Sequence, residues 1–469
     1  MTFKHRKFGV WASLAATVTV LAAQEPTLDP RAMGMAGATT SNAQGIHAVG
    51  FNPALLAFSR KDFSINLGGL AFGVLNNFLS IAQYNEINGA DLRDPTSPDY
   101  VDKDKFLASI PDGGMRIISL MHIPTPGFNF ARGTQAFSSD IIVYGDMSLP
   151  KALFEVIFRG NPVGQELNLE LKEEVIGVAE WGFSIAAPQG NVALGATIKY
   201  LQGLFYLGVD QDSSGGFFRT DSSGFLGQGR YLVRQAVGGS GLALDIGFAT
   251  AEVDGYSFGI SLINGFGRIK WHGPSITKDL FGEALQGLMP WGENEYFLYT
   301  FEIGDVAGNK GITGLDLLGG ASLDSLFVKE SYTVFLHPDS GIVRSEGRDL
   351  SDFEPAPFFT NYPTTLRIGG SKRVENVGLF TVDLTTGFEN RLWSTRGWQL
   401  SFAMELQPTP MIPIRLGYRY AGEQKQQLGM GFGIYAGPLQ FDFGLSFHNG
   451  VWLQNVKGLS FGFSFTLVR

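Results

Sequence analysis

The chain predicts an antiparallel transmembrane β-barrel, and three observations predict it. An export signal stands at one end. Long strands with one greasy face and one wet face recur along the rest. No further segment is apolar enough to cross a bilayer as a helix, because apolar runs are short and broken by Gly, Asp, Arg or Pro. A β-strand sends successive side chains to opposite faces. Inside lipid every backbone donor and acceptor must be satisfied, which leaves helices and closed barrels as the ways to cross.

The export signal comes first. Met1-Thr-Phe-Lys4-His5-Arg6-Lys7 is basic, and Phe8 to Ala23 is apolar, with Val10, Trp11, Leu14, Val18, Val20 and Leu21. The stretch ends Leu21-Ala22-Ala23-Gln24. Basic, apolar and small residues in that order form a secretory signal peptide. The apolar run is short beside the ~20 residues a spanning helix needs. The expected division is a signal peptide over 1–23, cleaved near Ala23, a hatch over 24–60 and a barrel over 61–469. The expected location is the outer membrane of a diderm bacterium.

Composition agrees. The 469 residues include 62 Gly, 39 Phe and no Cys, so disulfides play no part. A chain of this length does not need them. The mean hydropathy of +0.06 suits a wall in which half of each strand is small or polar. The net charge is −9 and no basic run follows Lys7, which excludes nucleic acid as a partner.

Residues 24–60 lack alternation. Asp29-Pro-Arg-Ala-Met-Gly-Met-Ala-Gly-Ala38 is rich in small residues that let backbones approach closely. Phe51-Asn52-Pro53-Ala54-Leu55-Leu56 places Asn52 as a helix N-cap and Pro53 at the first helical position. This is a compact plug ahead of a first strand, Phe63 to Phe72. Asn52, Pro53 and Ala54 are read either as a helix cap or as a gating element.

The strands follow. Val192 to Tyr200 alternates with Gly195, Thr197 and Lys199 on the polar face. Leu242, Leu244, Ile246 and Phe248 oppose Asp245 and Gly247, and Tyr256 to Leu262 opposes Ser257, Gly259 and Ser261. Phe380, Val382 and Leu384 oppose Thr381, Asp383 and Thr385. The C-terminal third alternates best, through Trp398–Gln407, Ile414–Tyr420, Leu428–Ile434, Leu439–His448 and Leu459–Leu467. Its short connections, such as Ala436-Gly437-Pro438, indicate a meander. A soluble β-sandwich also alternates. Its strands run about 5–6 residues, whereas many here approach the ~9–11 that a tilted strand needs to cross a membrane. Glycine on the face opposite Phe, Leu, Trp and Tyr suits a lumen.

Three segments break the strand pattern and read as short helices: Pro150–Phe158, Asp279–Leu288 and Gly314–Phe327. Phe281, Leu285 and Leu288 form an apolar stripe in a polar loop, which should bury against the barrel mouth or capture a greasy ligand. Long polar loops are expected at Asn85–Gly113, Asp210–Gly229 and His337–Phe358. Short turns at one end and long loops at the other are the outer-membrane arrangement.

Lys199, Asp245, Arg367, Asp383, Glu405, Arg415, Arg419 and Asp442 fall on polar strand faces. One reading is that opposite charges pair across the lumen and hold the hatch. The other is that Arg415 and Arg419 meet a ligand carboxylate, which the planar guanidinium can grip at both oxygens. The histidines are scattered without metal-ligand spacing. Gly458-Leu-Ser460-Phe-Gly462 matches a nucleophile elbow but lies inside a strand rather than at a strand-to-helix turn. Gly429-Met-Gly431-Phe-Gly433 is strand glycine and not a phosphate loop. No enzyme, metal or cofactor is expected.

The Arg31–Ala38 stretch followed by Phe51–Leu56 resembles the N-terminus of the FadL/TodX and PorV group of outer-membrane barrels. Gly241–Gly247 and Leu416–Tyr420 look like strands of that group. Leu149–Phe154 with Gly160-Asn161, and Ile198–Gly203, are similar to an uncharacterised branch of it. The resemblance implies about 14 antiparallel strands closed around an N-terminal hatch. It also implies membrane lipid and the barrel-assembly machinery as partners. Many such barrels end on an aromatic residue, whereas this chain ends Leu467-Val468-Arg469. The function implied is passive uptake of hydrophobic small molecules of the fatty-acid or hydrocarbon class. The alternative is a PorV-like barrel that serves as a structural or secretion partner for exported protein cargo.

Overall fold

The computed structural model describes residues 29–92, 94–160, 163–220, 225–271, 296–303, 328–337, 341–344, 358–420 and 426–469. Fourteen antiparallel wall strands close into a barrel. They are β1 (Phe63–Asn76), β2 (Met115–Pro124 continued by Asn129–Arg132), β3 (Gln135–Leu149), β4 (Lys172–Gln189), β5 (Val192–Val209), β6 (Phe225–Thr250) and β7 (Tyr256–Trp271). The ring continues through β8 (Phe358–Asn361 with Thr365–Val374), β9 (Gly378–Gly387), β10 (Gln399–Thr409), β11 (Ile412–Tyr420), β12 (Gln427–Ala436), β13 (Leu439–His448) and β14 (Gly458–Val468). β14 pairs with β1 from Ser64↔Val468 to Leu75↔Gly458, so the sheet has no free edge at its seam.

The period-2 pattern sorts the wall. Phe380, Val382 and Leu384 face outward, and Thr381, Asp383 and Thr385 between them are buried. Leu194, Ile198 and Leu242 are each 63% exposed while Thr197 and Asp245 are fully enclosed, so the apolar face looks away from the lumen. Outward rings meet across strands, as in Phe441–Phe465 at 5.0 Å and Phe432–Phe443 at 5.5 Å between centroids. An apolar outer band over small and polar inner residues is the outer-membrane barrel pattern.

The short turns that join wall strands, at 133–134, 190–191, 251–255, 375–377, 410–411 and 437–438, lie at the end of the barrel where β1 begins. Gly437, between β12 and β13, takes φ +60°, a conformation that favours glycine. The opposite end carries the long connections. Here the expected helix is present as Lys151–Arg159, ended by Gly160 at φ +72°. The expected loop at Asn85–Gly113 contains helix Lys103–Ser109, capped by the Asp102 side chain. Its Phe106 meets Phe158 edge-on at 5.6 Å.

Two expectations need correction. The first strand runs to Asn76, beyond Phe72. Asp210–Gly229 is not a polar loop: Gly215–Thr220 is a strand that pairs with the start of β6. At 26 residues β6 is far longer than a membrane crossing needs. Its surplus also pairs with Tyr296–Ile303. Glycines in Gly215-Gly216 and Gly227-Gln228-Gly229 hide the alternation there. The signal peptide, the Asp279–Leu288 and Gly314–Phe327 helices, and Phe281, Leu285 and Leu288 lie outside the described residues.

The wall is interrupted in two places. β1 pairs with the second piece of β2 up to Asn66↔Asn129 and with the first piece from Ala71↔His122. Between them Pro124 and Pro126 supply no backbone N–H, so Leu67–Leu70 leave the ladder on that side. Across the barrel, the β7–β8 ladder breaks between Ile263↔Thr365 and Arg268↔Asn361. There Phe266, at φ +59°, stands 89% exposed.

Candidate functional site

Residues Asp29–Phe58 run inside the ring and contact the inner faces of β4–β6 and β11–β14. Their entry is a five-residue helix, Pro30–Gly34, with Pro at its start. The Asp29 carboxylate caps it, accepting from Arg31 N at 2.8 Å and Ala32 N at 3.1 Å. Small residues make close seating possible on both sides. A methyl group added at Gly195 would strike the backbone of Pro53 and Ala54, and one at Gly247 would strike Asn52 Oδ1. At Gly259 it would meet the Thr40 carbonyl, at Gly417 the backbone of Met35, and at Gly444 the Pro30 carbonyl. The inward glycines of the strand pattern are therefore recesses that receive this segment.

Directional bonds add to the fit. Asn52 Nδ2 donates to the carbonyls of Thr40 at 3.0 Å and Phe248 at 2.9 Å, and its Oδ1 accepts from Ala54 N at 3.1 Å. Asn52 thus caps the Pro53–Phe58 turn and ties it to β6 in one side chain. Thr40 gives both its N–H (2.9 Å) and its hydroxyl (2.6 Å) to Asp383 Oδ2. Arg367 reaches Asp383 at 3.7 Å and donates to the Gly37 carbonyl at 2.5 Å. Arg419 Nε donates to the Ala36 carbonyl at 2.9 Å.

The inward charges occur as clusters. Arg415 donates to Glu405 at 2.7 Å, to Asp442 at 2.6 Å and to the Tyr435 hydroxyl at 2.7 Å. Arg31 of the N-terminal segment joins from 3.5 Å at Glu405. Lys199 lies 3.2 Å from both Glu180 and Asp245 and donates to Asn264 Oδ1 at 2.7 Å. Lys199, Asp245, Asp383, Arg415, Arg419 and Asp442 are thus all enclosed and engaged with wall or N-terminal groups. Neither Arg415 nor Arg419 lines the lumen cavity.

That cavity measures about 140 Å³. Asp29, His47 and Phe51 of the N-terminal segment bound it on one side. Ile142, Tyr144, Tyr362 and Trp393 bound it toward the long-loop end, and Leu70, Pro124 and Asn129 bound it at the β1–β2 interruption. Ile263 and Asn264 carry it to the second interruption. Above it the apolar lining continues into a buried cluster with Leu120, Ile176, Leu201, Tyr206, Trp271 and Phe358. Trp393 stands 4.1 Å from Tyr144 and 4.8 Å from Tyr362 between ring centroids. Sequence reasoning did not select these residues. Trp393 sits in an irregular connection, Tyr144 is in β3, and Tyr362 lies in the break between the two pieces of β8. The one available signal was a large aromatic among polar loop residues.

Two further pairs are buried in the lumen. His47 Nδ1 meets Asp29 Oδ2, and His448 Nε2 lies 2.8 Å from Ser460 Oγ. The second pair involves the serine of the nucleophile-elbow match. Ser460 is the third residue of β14, which runs on to Val468, so the strand-to-helix context of that motif is absent. Among the described residues no three His, Asp or Glu side chains are grouped to hold a metal.

Comparison with known proteins adds one family. Residues 53–222 match a family of unknown function, DUF5723. Both stretches that resembled an uncharacterised branch, Leu149–Phe154 and Ile198–Gly203, fall inside the matched region. The chain is also similar to solved structures. The toluene transporter TbuX of Ralstonia pickettii shares 12% identity at a TM-score of 0.47, over 94% of this chain and 97% of that one. The toluene transporter TodX of P. putida shares 10% at 0.49, over 94% and 98%. A Pseudomonas aeruginosa FadL homologue shares 11% at 0.46, over 96% and 99%. No curated protein matches the chain.

Proposed function

We propose that this outer-membrane barrel is a passive channel for a hydrophobic small molecule, with the N-terminal segment as its hatch. One observation carries the reading. A cavity lies between a buried aromatic cluster and the N-terminal segment, and it reaches the wall where β1 and β2 lose their pairing. A ligand entering from the long-loop end would pass Trp393, Tyr144 and Tyr362. It would leave past Leu70 and Pro124 toward the membrane, or past His47 if the hatch moves. Asn52, Pro53 and Ala54 are the hatch's tie to the wall, and Phe281, Leu285 and Leu288 are the proposed capture stripe. Export relies on cleavage near Ala23. No nucleotide-binding motif implies an energy source.

A second reading has its own support. On the β8–β13 side the lumen is filled by the Arg367, Arg415 and Arg419 clusters, as a structural or secretion-partner barrel would need. Cells carrying Leu70→Trp, which puts a larger ring at the cavity's opening between β1 and β2, should lose uptake of toluene and fatty acids at normal surface level. Phe281→Asp with Leu285→Asp should lower uptake as well. Uptake unchanged in both variants across fatty acids, alkanes and aromatics would favour the secretion-partner reading.

A further inference from the structure

We propose that the lumen cavity selects small aromatic molecules carrying a neutral hydroxyl, of the phenol type, over plain hydrocarbons and over carboxylates. This rests on the transport reading and names its substrate class. The cavity's surroundings have three chemical parts. Tyr144, Tyr362 and Trp393 offer ring faces and edges suited to a planar aromatic. His47 and Ser464 offer polar atoms that the protein leaves unused. His47 is 8% exposed and its Nδ1 is held by Asp29, while its Nε2 is buried with no hydrogen-bond partner. Ser464, 2% exposed on the inner face of β14, has a buried hydroxyl without a partner. Buried polar groups in native proteins are nearly always bonded, so two orphans lining one cavity point to a ligand that completes them.

The third part is charge. Asp29, Asp140 and Glu180 line the cavity, against one cation, Lys199, among the described residues. Lys199 is already shared between Glu180 and Asp245 at 3.2 Å each. A ligand carboxylate would meet three acidic side chains and no uncommitted ammonium or guanidinium group. A hydrocarbon would fill the aromatic part and leave both orphans stranded. A hydroxyl both donates and accepts, so it serves the His47 ring in either protonation state and Ser464 as well.

The test is equilibrium binding to the purified full chain in detergent, with phenol, toluene and benzoate as matched one-ring probes. Phenol should bind about ten-fold more tightly than toluene, the factor that one satisfied hydrogen bond supplies. Benzoate should bind most weakly. Ser464→Ala and His47→Phe should each erase most of the preference for phenol over toluene, whichever way each changes the affinity for toluene itself. Ser464→Ala removes a hydroxyl that bonds no other group, so it separates recognition from loss of folding. Toluene binding as tightly as phenol, benzoate binding best, or a phenol preference untouched by both variants would overturn the proposal, and the transport reading would stand. If none of the three binds, the proposal falls, and uptake of fatty acids and alkanes through the barrel then decides whether the transport reading stands.

Discussion

Asn52 and Phe248 are joined across the lumen: the buried Asn52 amide donates to the Phe248 carbonyl at 2.9 Å, linking the N-terminal segment to β6. The same side chain bonds Thr40 and Ala54. Asn52→Ala removes three bonds and strands the Thr40 carbonyl in a closed space. Each buried group left unsatisfied costs about 1–3 kcal/mol. The variant should fold as a barrel yet leak. Single-channel recording in planar bilayers should show raised conductance with unchanged heat-modifiable gel mobility. Asn52→Asp should leak as well, because a carboxylate cannot donate to two carbonyls.

Neighbouring residues on one strand should respond in opposite ways. Phe443 faces outward in β13, and Gly444 faces inward against the Pro30 carbonyl. Phe443→Arg should destabilise folding into lipid vesicles by ~2–4 kcal/mol, the value for a cation near the membrane midplane. Gly444→Arg should instead displace the Pro30–Gly34 helix and alter permeation. Equal, small effects at both positions would contradict the register.

The Arg415 cluster should be the costliest to break. Arg415, Glu405 and Asp442 have side chains 0%, 6% and 1% exposed. Arg415→Met leaves two buried carboxylates facing each other, and removing one partner of such a pair costs about 3–5 kcal/mol. Urea-induced unfolding from vesicles should show this loss. Arg415→Lys should recover only part of it, since an ammonium cannot reproduce the planar fork that meets Glu405, Asp442 and Tyr435 together.

The Asp29 tie should make the seating of the N-terminal segment sensitive to strong acid. Burial raises the Asp29 pKa, but the His47 ring, Arg31 and the Ala32 N–H outweigh burial and hold the carboxyl below its usual range. A lowered folded pKa contributes stability that is fully present above the unfolded value, ~3.9, and is lost as pH falls through the folded value. Protease cleavage within residues 29–60 should therefore stay slow from neutral pH to about pH 4 and accelerate below it. Asp29→Asn should be cleaved faster at pH 7 and show little further change on acidification. Wild-type cleavage that accelerates between pH 6 and 5 would implicate another group.

The alternation of Phe461, Phe463 and Phe465 with Ser460, Gly462 and Ser464 was enough by itself to identify a membrane wall, because a period of two is a local property of extended backbone. The same rule put Lys199, Asp245, Arg415 and Asp442 on the inner face, and capping preferences, equally local, put Asn52-Pro53 at a helical start. It failed where glycine removes the contrast, as at Gly215–Thr220, and it did not show why the inner glycines exist. Their reason is the N-terminal segment, whose backbone occupies the space of the missing side chains. Partnership was likewise beyond sequence. Arg415 meets Glu405 and Asp442 only after four strands are placed in register. Asp29, His47 and Ser464 come to one cavity only after the barrel closes between β14 and β1. Which face a side chain takes depends on its nearest neighbours in the chain. Which group it meets across a lumen depends on strand order, register and closure, and those exist only in the folded ring.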